Sequence, residues 1–361
     1  MRSPADLRLF VNLPYRKYDG HPHWIPPLRL QERALLNRKR HPFYRHAMAD
    51  LFIADGNRGA AGRIACIQDS RQHELTGRRT ASFGFFEAAD KETARTLLDA
   101  AEAWAKEREC QSLVGPLNPS LNYTAGLLVD GFCEAPFVQM PYNPPEYADF
   151  IEAAGFHKIR DLYAWIWDMR VDLGEQIPRL AEWGRDRCEI REARPKTLAA
   201  DLRIVHDIYS QAWAGNWGFV APSAEEAAEI AAEMSAVLDP KGILFAIVDG
   251  RAVGCALLVP DINQVLKGTR GRLSLRTLYR FFRRKRIIDQ GRLALLGIVP
   301  GYRHPGLYPL LLLEIHARAK RAGYRRVEFS WILDNNRDIN RPAEEMGCVR
   351  YKTYRLYAKD L

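Results

Sequence analysis

The stretch Leu295-Leu296-Gly297-Ile298-Val299-Pro300-Gly301-Tyr302-Arg303-His304-Pro305-Gly306-Leu307-Tyr308 decides how this chain is read. An apolar run from Leu293 to Val299 reads as a buried strand, and a periodic apolar run from Leu307 to Ala322 reads as a long helix. The turn between them is rich in glycine, proline and basic residues. A helix N-terminus presents unpaired N–H groups and a partial positive charge, so a junction of this kind suits a phosphate. Gly306 lets the backbone approach such a group, while Pro305 removes one N–H from the cradle. The same residues also read as an ordinary strand-to-helix connection with a capping glycine.

Working outward, the chain repeats itself. Leu51 to Gly56 followed by Gly62 to Ile67 reads as a hairpin with an Asp-Gly turn, and so does Leu244 to Gly250 followed by Gly254 to Val259. Gly62 and Gly254 lie 192 residues apart; so do Gly155 and Gly347, each at the end of a short helix where a left-handed cap places glycine. Between these landmarks each copy has a strand and a long amphipathic helix: Ala81 to Phe86 with Glu92 to Arg108, and Leu293 to Val299 with Leu307 to Ala322. The expected fold class is α/β (mixed α+β), with two tandem domains, 1–170 and 185–361. Each would be a mixed, mostly antiparallel twisted sheet flanked by helices. A length of 361 residues suits two such domains.

The strand order and the turn resemble the GNAT acyltransferase fold. In that family the fourth strand ends in a turn of the form Arg or Gln, two residues, Gly, one residue, Gly or Ala. Here Arg303 and Gly306 match it, and Tyr308 stands where the small residue is expected. The resemblance implies an acyl-CoA co-substrate, acetyl-CoA or longer, held by Ile298, Val299, Arg303, His304, Gly306, Leu307, Tyr308 and Asn336. A backbone N–H of Ile298 or Val299 would polarise the thioester carbonyl. Many members place a tyrosine acid four residues before the glycine of the short helix. Here that position is Ala343, and Ile151 in the first copy. Tyr354 and Tyr351 are the nearest replacements, and Glu87 or Asp334 is the candidate base. The first copy runs acidic into its helix and is expected to bind no cofactor. Over its full length the chain is similar to a bacterial group of GNAT-like proteins. That group includes enzymes of the ceramide synthase type, which N-acylate long-chain amino-lipids. The implied activity is N-acyl transfer to an amine, with a catalytically inactive binding or sensor protein of the same fold as the alternative.

Two segments set the copies apart. Asn118 to Asn143 is dense in Asn, Pro, Gly and aromatic residues. It reads either as a wall of the acceptor pocket, with Asn118, Asn122, Tyr142 and Asn143 as polar contacts, or as a structural lid on the sheet edge. Residues 267–292 hold ten Lys or Arg and one acid, Asp289, and the rest of the chain holds 43 residues of each sign. The net charge of +9 is thus local. Leu273 to Ile288 reads as a helix with Leu275, Leu278 and Phe282 on one face and arginines around it. It would suit an anionic membrane surface, or it is a solvated basic helix or a grip on the adenosine phosphate of CoA.

The remaining composition narrows the classes. No apolar run approaches the ~18 residues that span a bilayer, and Met1 to Asp6 has no apolar stretch before a cleavage-like site. The six cysteines lie far apart, which fits a reducing cytoplasm and argues against a structural metal. No metal and no nucleic acid are expected. The expected location is the cytoplasm, with the inner face of the membrane as the surface for the basic helix.

Overall fold

The computed structural model describes residues 3–56, 59–235 and 237–361. The chain forms two compact units, neither contiguous in sequence. One comprises Met1–Leu162, Leu266–Tyr279 and Lys352–Leu361; the other comprises Tyr163–Val265 and Arg280–Tyr351.

The first unit begins with α1 (Pro4–Lys17), started by a Ser3/Asp6 capping box, and α2 (Arg29–Leu35). Strands β1 (Ala47–Gly56) and β2 (Gly59–Asp69) form an antiparallel hairpin. Asp55 and Gly56 pair within it, so they are strand residues; Asn57 and Arg58, which follow the expected Asp-Gly turn, lie outside the described residues. After α3 (Ser70–Thr76), strand β3 (Thr80–Ala88) leads to α4 (Lys91–Lys106), whose N-cap Asp90 accepts from Thr93 N–H. Next come β4 (Ser112–Gly115), β5 (Leu117–Asn118), β6 (Thr124–Ala125) and β7 (Leu127–Asp130). Helix α5 (Tyr147–Ala153) precedes β8 (His157–Asp168). One face of this sheet packs Phe83 with Leu97, Leu98 and Trp104 of α4, and a second cluster holds Phe10 and Val11 of α1 with Phe43 and Phe85.

The second unit repeats the plan. It has α6 (Gln176–Arg185), β9 (Glu189–Glu192), α7 (Leu198–Ala212) and α8 (Ala224–Ser235). The hairpin β10 (Ile243–Val248) and β11 (Arg251–Pro260) follows. Its turn is the Asp249-Gly250 pair, at φ of 50° and 75°, the two positive values a two-residue hairpin needs. The bulges match across the repeat: Ala54 faces Gly62 and Ala246 faces Gly254, with a register shift immediately after each. Gly155 and Gly347 are left-handed, as their capping role requires.

Past β11 come α9 (Asn263–Leu266), α10 (Leu275–Phe282), α11 (Arg284–Ile287) and β12 (Gln290–Ile298). The basic segment therefore forms two short helices with a break at Arg283 (ψ 9°), where one helix over 273–288 was expected. The unit continues with α12 (Leu307–Arg321), β13 (Arg326–Leu333) and α13 (Arg337–Glu345). The final strand, β14 (Val349–Asp360), runs from the second unit into the first. Its end pairs with β4 (Tyr357 with Gly115, Asp360 with Ser112) and with β7 (Tyr354 with Leu128). Strand order in the second unit is β13-β12-β11-β10-β9, with β12 and β13 parallel and the other pairs antiparallel.

Candidate functional site

In both copies two parallel strands pair briefly and then part. Strand β3 pairs with β4 from Thr80/Ser112 to Ser82/Val114, and β12 pairs with β13 from Gln290/Arg326 to Leu293/Phe329. What lies beyond the parting differs. In the first unit the slot is filled by the chain itself. A Cβ on Gly84 would lie 1.7 Å from the Leu117 carbonyl oxygen, and Asn118 Oδ1 accepts from the Phe85 N–H on the bulge of β3. In the second unit the slot is open, a cleft of about 690 Å³ lined wholly by that unit's residues.

The cleft has one wall on β12, one on β13, and a mouth at the start of α12. Register on β12 shifts opposite Leu257 and Leu258, so Ala294 is the extra residue of a bulge. Beyond it Gly254 faces Ile298, and Val299 N–H donates to Val253 O (2.8 Å). Val299 is thereby bonded away from the cleft. Antiparallel alternation turns the N–H groups of Leu296 and Ile298 to the other side, where β13 has departed. Of the two strand donors expected from the sequence, Ile298 has the open orientation. Gly297 makes room for a neighbour. A Cβ there would meet the Trp213 ring at 2.3 Å, so the indole packs directly against the strand at this position, and Trp213 lines the cleft.

At the mouth the phosphate turn is partly committed. Pro305 and Pro309 have no N–H, Gly306 N–H donates to His304 Nδ1 (3.2 Å) and Leu307 N–H to His304 O (3.1 Å). Gly306 is required by packing: its Cβ would lie 2.4 Å from Gly184 N of α6. Arg303, His304 and Tyr308 line the cleft, and burial pushes the Tyr308 hydroxyl well above its ordinary range. Among the described residues Arg303 is the one Lys or Arg in the lining. Leu307 is buried in the core beneath. Asn336 lines the cleft at the N-cap of α13 but makes no side-chain capping bond, contrary to the capping role its position suggests; Asp334 is not among the lining residues.

The other candidates lie elsewhere. Because the end of β14 completes the first unit's sheet, Tyr354 is fully buried there, against Leu128, and does not line the cleft. Glu87 is also in the first unit, buried, with Tyr18 and Tyr147 hydroxyls each donating to Oε2 (2.8 Å). Burial raises its carboxyl above the ordinary value, against the lowering pull of Arg63 and the two hydroxyls. Asn143 mimics a strand partner: its Oδ1 accepts from Leu128 N–H (2.7 Å) and its Nδ2 donates to Leu128 O (3.0 Å). Asn118 holds the bulge, Asn122 N–H donates to Ser120 Oγ (3.3 Å), and Tyr142 donates to Phe132 O (3.3 Å). All four sit in the first unit: Asn118 and Asn122 in the plug around β5 and β6, Tyr142 and Asn143 in the stretch after β7, where Asn143 bonds back to Leu128.

Tyr351, the remaining candidate, is not among the lining residues either, but it bonds to a polar cluster that reaches the cleft through Ser330. Its hydroxyl donates to Glu328 Oε2. Ser330 Oγ donates to Glu328 Oε1, and Arg292 donates to Ser330 Oγ (2.8 Å) and Ser330 O (3.1 Å). Arg292 and Glu328 are register partners on β12 and β13, buried, and 3.8 Å apart. Ser330 lines the cleft. Arg292, Glu328 and Ser330 were not among the residues expected from the sequence. Arg292 borders the apolar run that reads as a strand from Leu293, and Glu328 is a charge between Val327 and Phe329; Ser330 carried no signal.

Two copies of one strand-and-helix plan, each with a pair of parallel strands that part, define a tandem GNAT fold. A solved tandem GNAT protein from the clavulanic acid biosynthesis pathway shares it, at a TM-score of 0.56 over 99% of this chain and 96% of that one, with 12% identity. The chain belongs to the bacterial ceramide synthase family of GNAT-fold acyltransferases. It is 30% identical to the bacterial ceramide synthase of Caulobacter vibrioides, over 100% of this chain and 96% of that protein. It is 31% identical to Protein YghO of Escherichia coli, over 99% and 93%. No family model matches the chain.

Proposed function

We propose that this protein is an acyl-CoA-dependent N-acyltransferase whose single working site is the cleft of the second unit, and that it joins a long acyl chain to a lipid-like amine. The observation that carries this reading is the cleft itself, about 690 Å³, open where β12 and β13 part and lined by Trp213, Trp217, Leu296, Phe329 and Trp331. Such walls suit a hydrocarbon chain, and their size is that of a pocket for a large organic ligand. Ile298 N–H is aimed to polarise the thioester carbonyl, and Arg303 is placed for the CoA phosphates. Calorimetry with acetyl-CoA and a C16 acyl-CoA, followed by mass spectrometry of the product with a long-chain amino-alcohol, tests it. We expect the longer donor to bind at least tenfold tighter and an amide to form. Binding without turnover would favour the inactive sensor, which the committed N–H groups of Gly306 and Leu307 suggest; absence of binding by either donor would end the acyl-CoA reading.

The same reading places the protein on an anionic membrane surface through α10. Among the described residues no helix is long and apolar enough to cross a membrane. Yet Leu275 and Phe282 are 87% and 85% exposed, with Leu273, Leu278 and Tyr279 also exposed. Arg276, Lys285 and Arg286 are exposed around them. Arg280 is already spent, donating to Val265 O (2.7 Å) and Gln264 O (2.6 Å), so it belongs to the fold and not to the headgroups. Burying a large apolar side chain is worth about 1.5–3 kcal/mol. The double variant Leu275→Ser, Phe282→Ser should therefore reduce flotation with phosphatidylglycerol vesicles by roughly tenfold or more. Equal flotation of wild type and variant would remove α10 from the membrane.

A further inference from the structure

We propose that Ser330 and Glu328 form the proton relay that deprotonates the acceptor amine, with Arg292 and Tyr351 as the residues that hold the relay in position. This deepens the acyl-transfer reading above and rests on it.

Burying this cluster is costly. Arg292, Glu328 and Ser330 are all at least nine-tenths buried, and Glu328 is wholly so. Removing an ion pair from water costs several kcal/mol per charge, and an apolar pair would fill the same space more cheaply. The pair is nevertheless set into the β12–β13 ladder, at Arg292/Glu328, one step before the last paired residues, Leu293 and Phe329. Ser330 is the first residue of β13 beyond that pairing, and it lines the cleft.

The face these side chains occupy matters as much. Leu293 and Phe329 belong to the core cluster that includes Leu310 and Leu311 of α12. By strand alternation Arg292 and Glu328 point to the opposite face. Past the bulge, Gly297 has that same outlook, for its missing Cβ would meet Trp213 and Ala212 at the end of α7. The relay is therefore on the α7 side of the sheet, and the phosphate turn begins α12 on the other side. An acyl donor entering at α12 presents its thioester through the parted strands to an amine on the α7 side. Ser330 then stands on the strand opposite the Ile298 donor.

The bonding pattern leaves Ser330 able to act. A hydroxyl has one proton and two lone pairs. Its proton is given to Glu328 Oε1, and one lone pair accepts from Arg292 Nε. The second lone pair is the one that an ammonium in the cleft would meet. In the step, the N–H bond of R–NH₃⁺ breaks and its electron pair stays on nitrogen. That proton passes to Ser330 Oγ as the hydroxyl proton passes to Glu328, which becomes a neutral acid. The freed pair forms the C–N bond to the thioester carbon, and the C–S bond breaks with its pair on sulfur. A second proton lost from nitrogen reaches the thiolate, and Glu328 returns its proton to solvent. Thioester and ammonium become amide, thiol and one released proton. Arg292, 3.8 Å from Glu328 and bonded to Ser330, holds the two side chains together, and Tyr351, donating to Oε2, fixes which oxygen faces Ser330.

The test compares full-length wild type with Ser330→Ala, Ser330→Thr and Glu328→Gln, using a C16 acyl-CoA and a long-chain amino-alcohol. Each kcat/KM is read from about pH 5.5 to 9.5. Donor affinity is measured by calorimetry, and folding by thermal unfolding. We expect Ser330→Ala and Glu328→Gln to lose about 10²-fold or more in kcat, with donor affinity changed less than about twofold, and to gain rate with pH where wild type has levelled. Ser330→Thr, which keeps the hydroxyl, should recover to within about tenfold of wild type. A folded Ser330→Ala with the rate and pH profile of wild type overturns the relay alone. Should Glu328→Gln fail to fold, the serine pair decides. A wild type that neither binds the donor nor forms amide ends the acyl-transfer reading, and the relay with it.

Discussion

Arg292→Met is expected to lower the unfolding free energy by about 3–5 kcal/mol, the usual cost of removing one partner of a buried ion pair. Glu328 would keep the hydroxyls of Ser330 and Tyr351 but lose the guanidinium 3.8 Å away, while remaining wholly buried. Met approximates the length of the arginine stem, so the loss reports charge more than volume. The diagnostic companion is the double variant Arg292→Met, Glu328→Leu. With both charges removed, two apolar side chains occupy adjacent ladder positions, and stability should return to within about 1.5 kcal/mol of wild type or exceed it. Urea unfolding followed by tryptophan fluorescence measures both. A single variant costing under about 1 kcal/mol would mean that water from the cleft reaches Glu328 and screens it.

The second large effect is expected at the turn. Gly306→Ala introduces a Cβ 2.4 Å from Gly184 N, 2.8 Å from Leu180 O and 2.9 Å from Gly184 Cα, all backbone atoms of α6. No rotamer change relieves such contacts, so α12 must move from α6, at about 1–3 kcal/mol. The shift occurs where Arg303, His304 and Tyr308 line the mouth of the cleft. Donor affinity should fall with stability, by tenfold or more on the acyl-CoA reading. The reverse substitution is a control on the packing: Gly184→Ala places a Cβ 2.5 Å from Gly306 O and should destabilise similarly. If Gly306→Ala left thermal unfolding unchanged, the close approach of the two helices would be refuted. Wild-type stability with lost donor binding would instead assign the glycine to the phosphate.

What could be read in advance follows from the range of the interactions. The hairpins and the strand-turn-helix unit are set by neighbours a few residues apart, the 192-residue spacings compare two such local patterns, and the structure contains them, down to matching bulges at Ala54/Gly62 and Ala246/Gly254. Local pattern failed where a turn had competitors. Asp55-Gly56 has turn chemistry, yet cross-strand pairing extends the first hairpin past it. The loop from Asn118 to Asn143 was legible as unusual, but its polar residues could be read as substrate contacts only while their partners were unknown. Asn143 satisfies both backbone groups of Leu128, which no spacing reveals.

By itself, then, the sequence determined that this protein is a tandem repeat of one mixed-sheet fold and that its second copy carries a strand, a turn and a helix resembling those of the GNAT family. Local periodicity and turn chemistry suffice for the elements and their repeat; the acyl-CoA reading of the turn rests on the family resemblance. Only the tertiary structure decided which copy is open, because the plug at Leu117 and Asn118 acts on Gly84 and Phe85 across more than 30 residues of chain. It also decided that Tyr354 belongs to the first unit's sheet and Tyr351 to the second unit's polar cluster, although three positions separate them on one strand. Arg292, Glu328, Ser330 and Tyr351 come from three strands, and their meeting depends on register between strands distant in sequence. Register is fixed by the packing of whole faces, a property that no single segment carries.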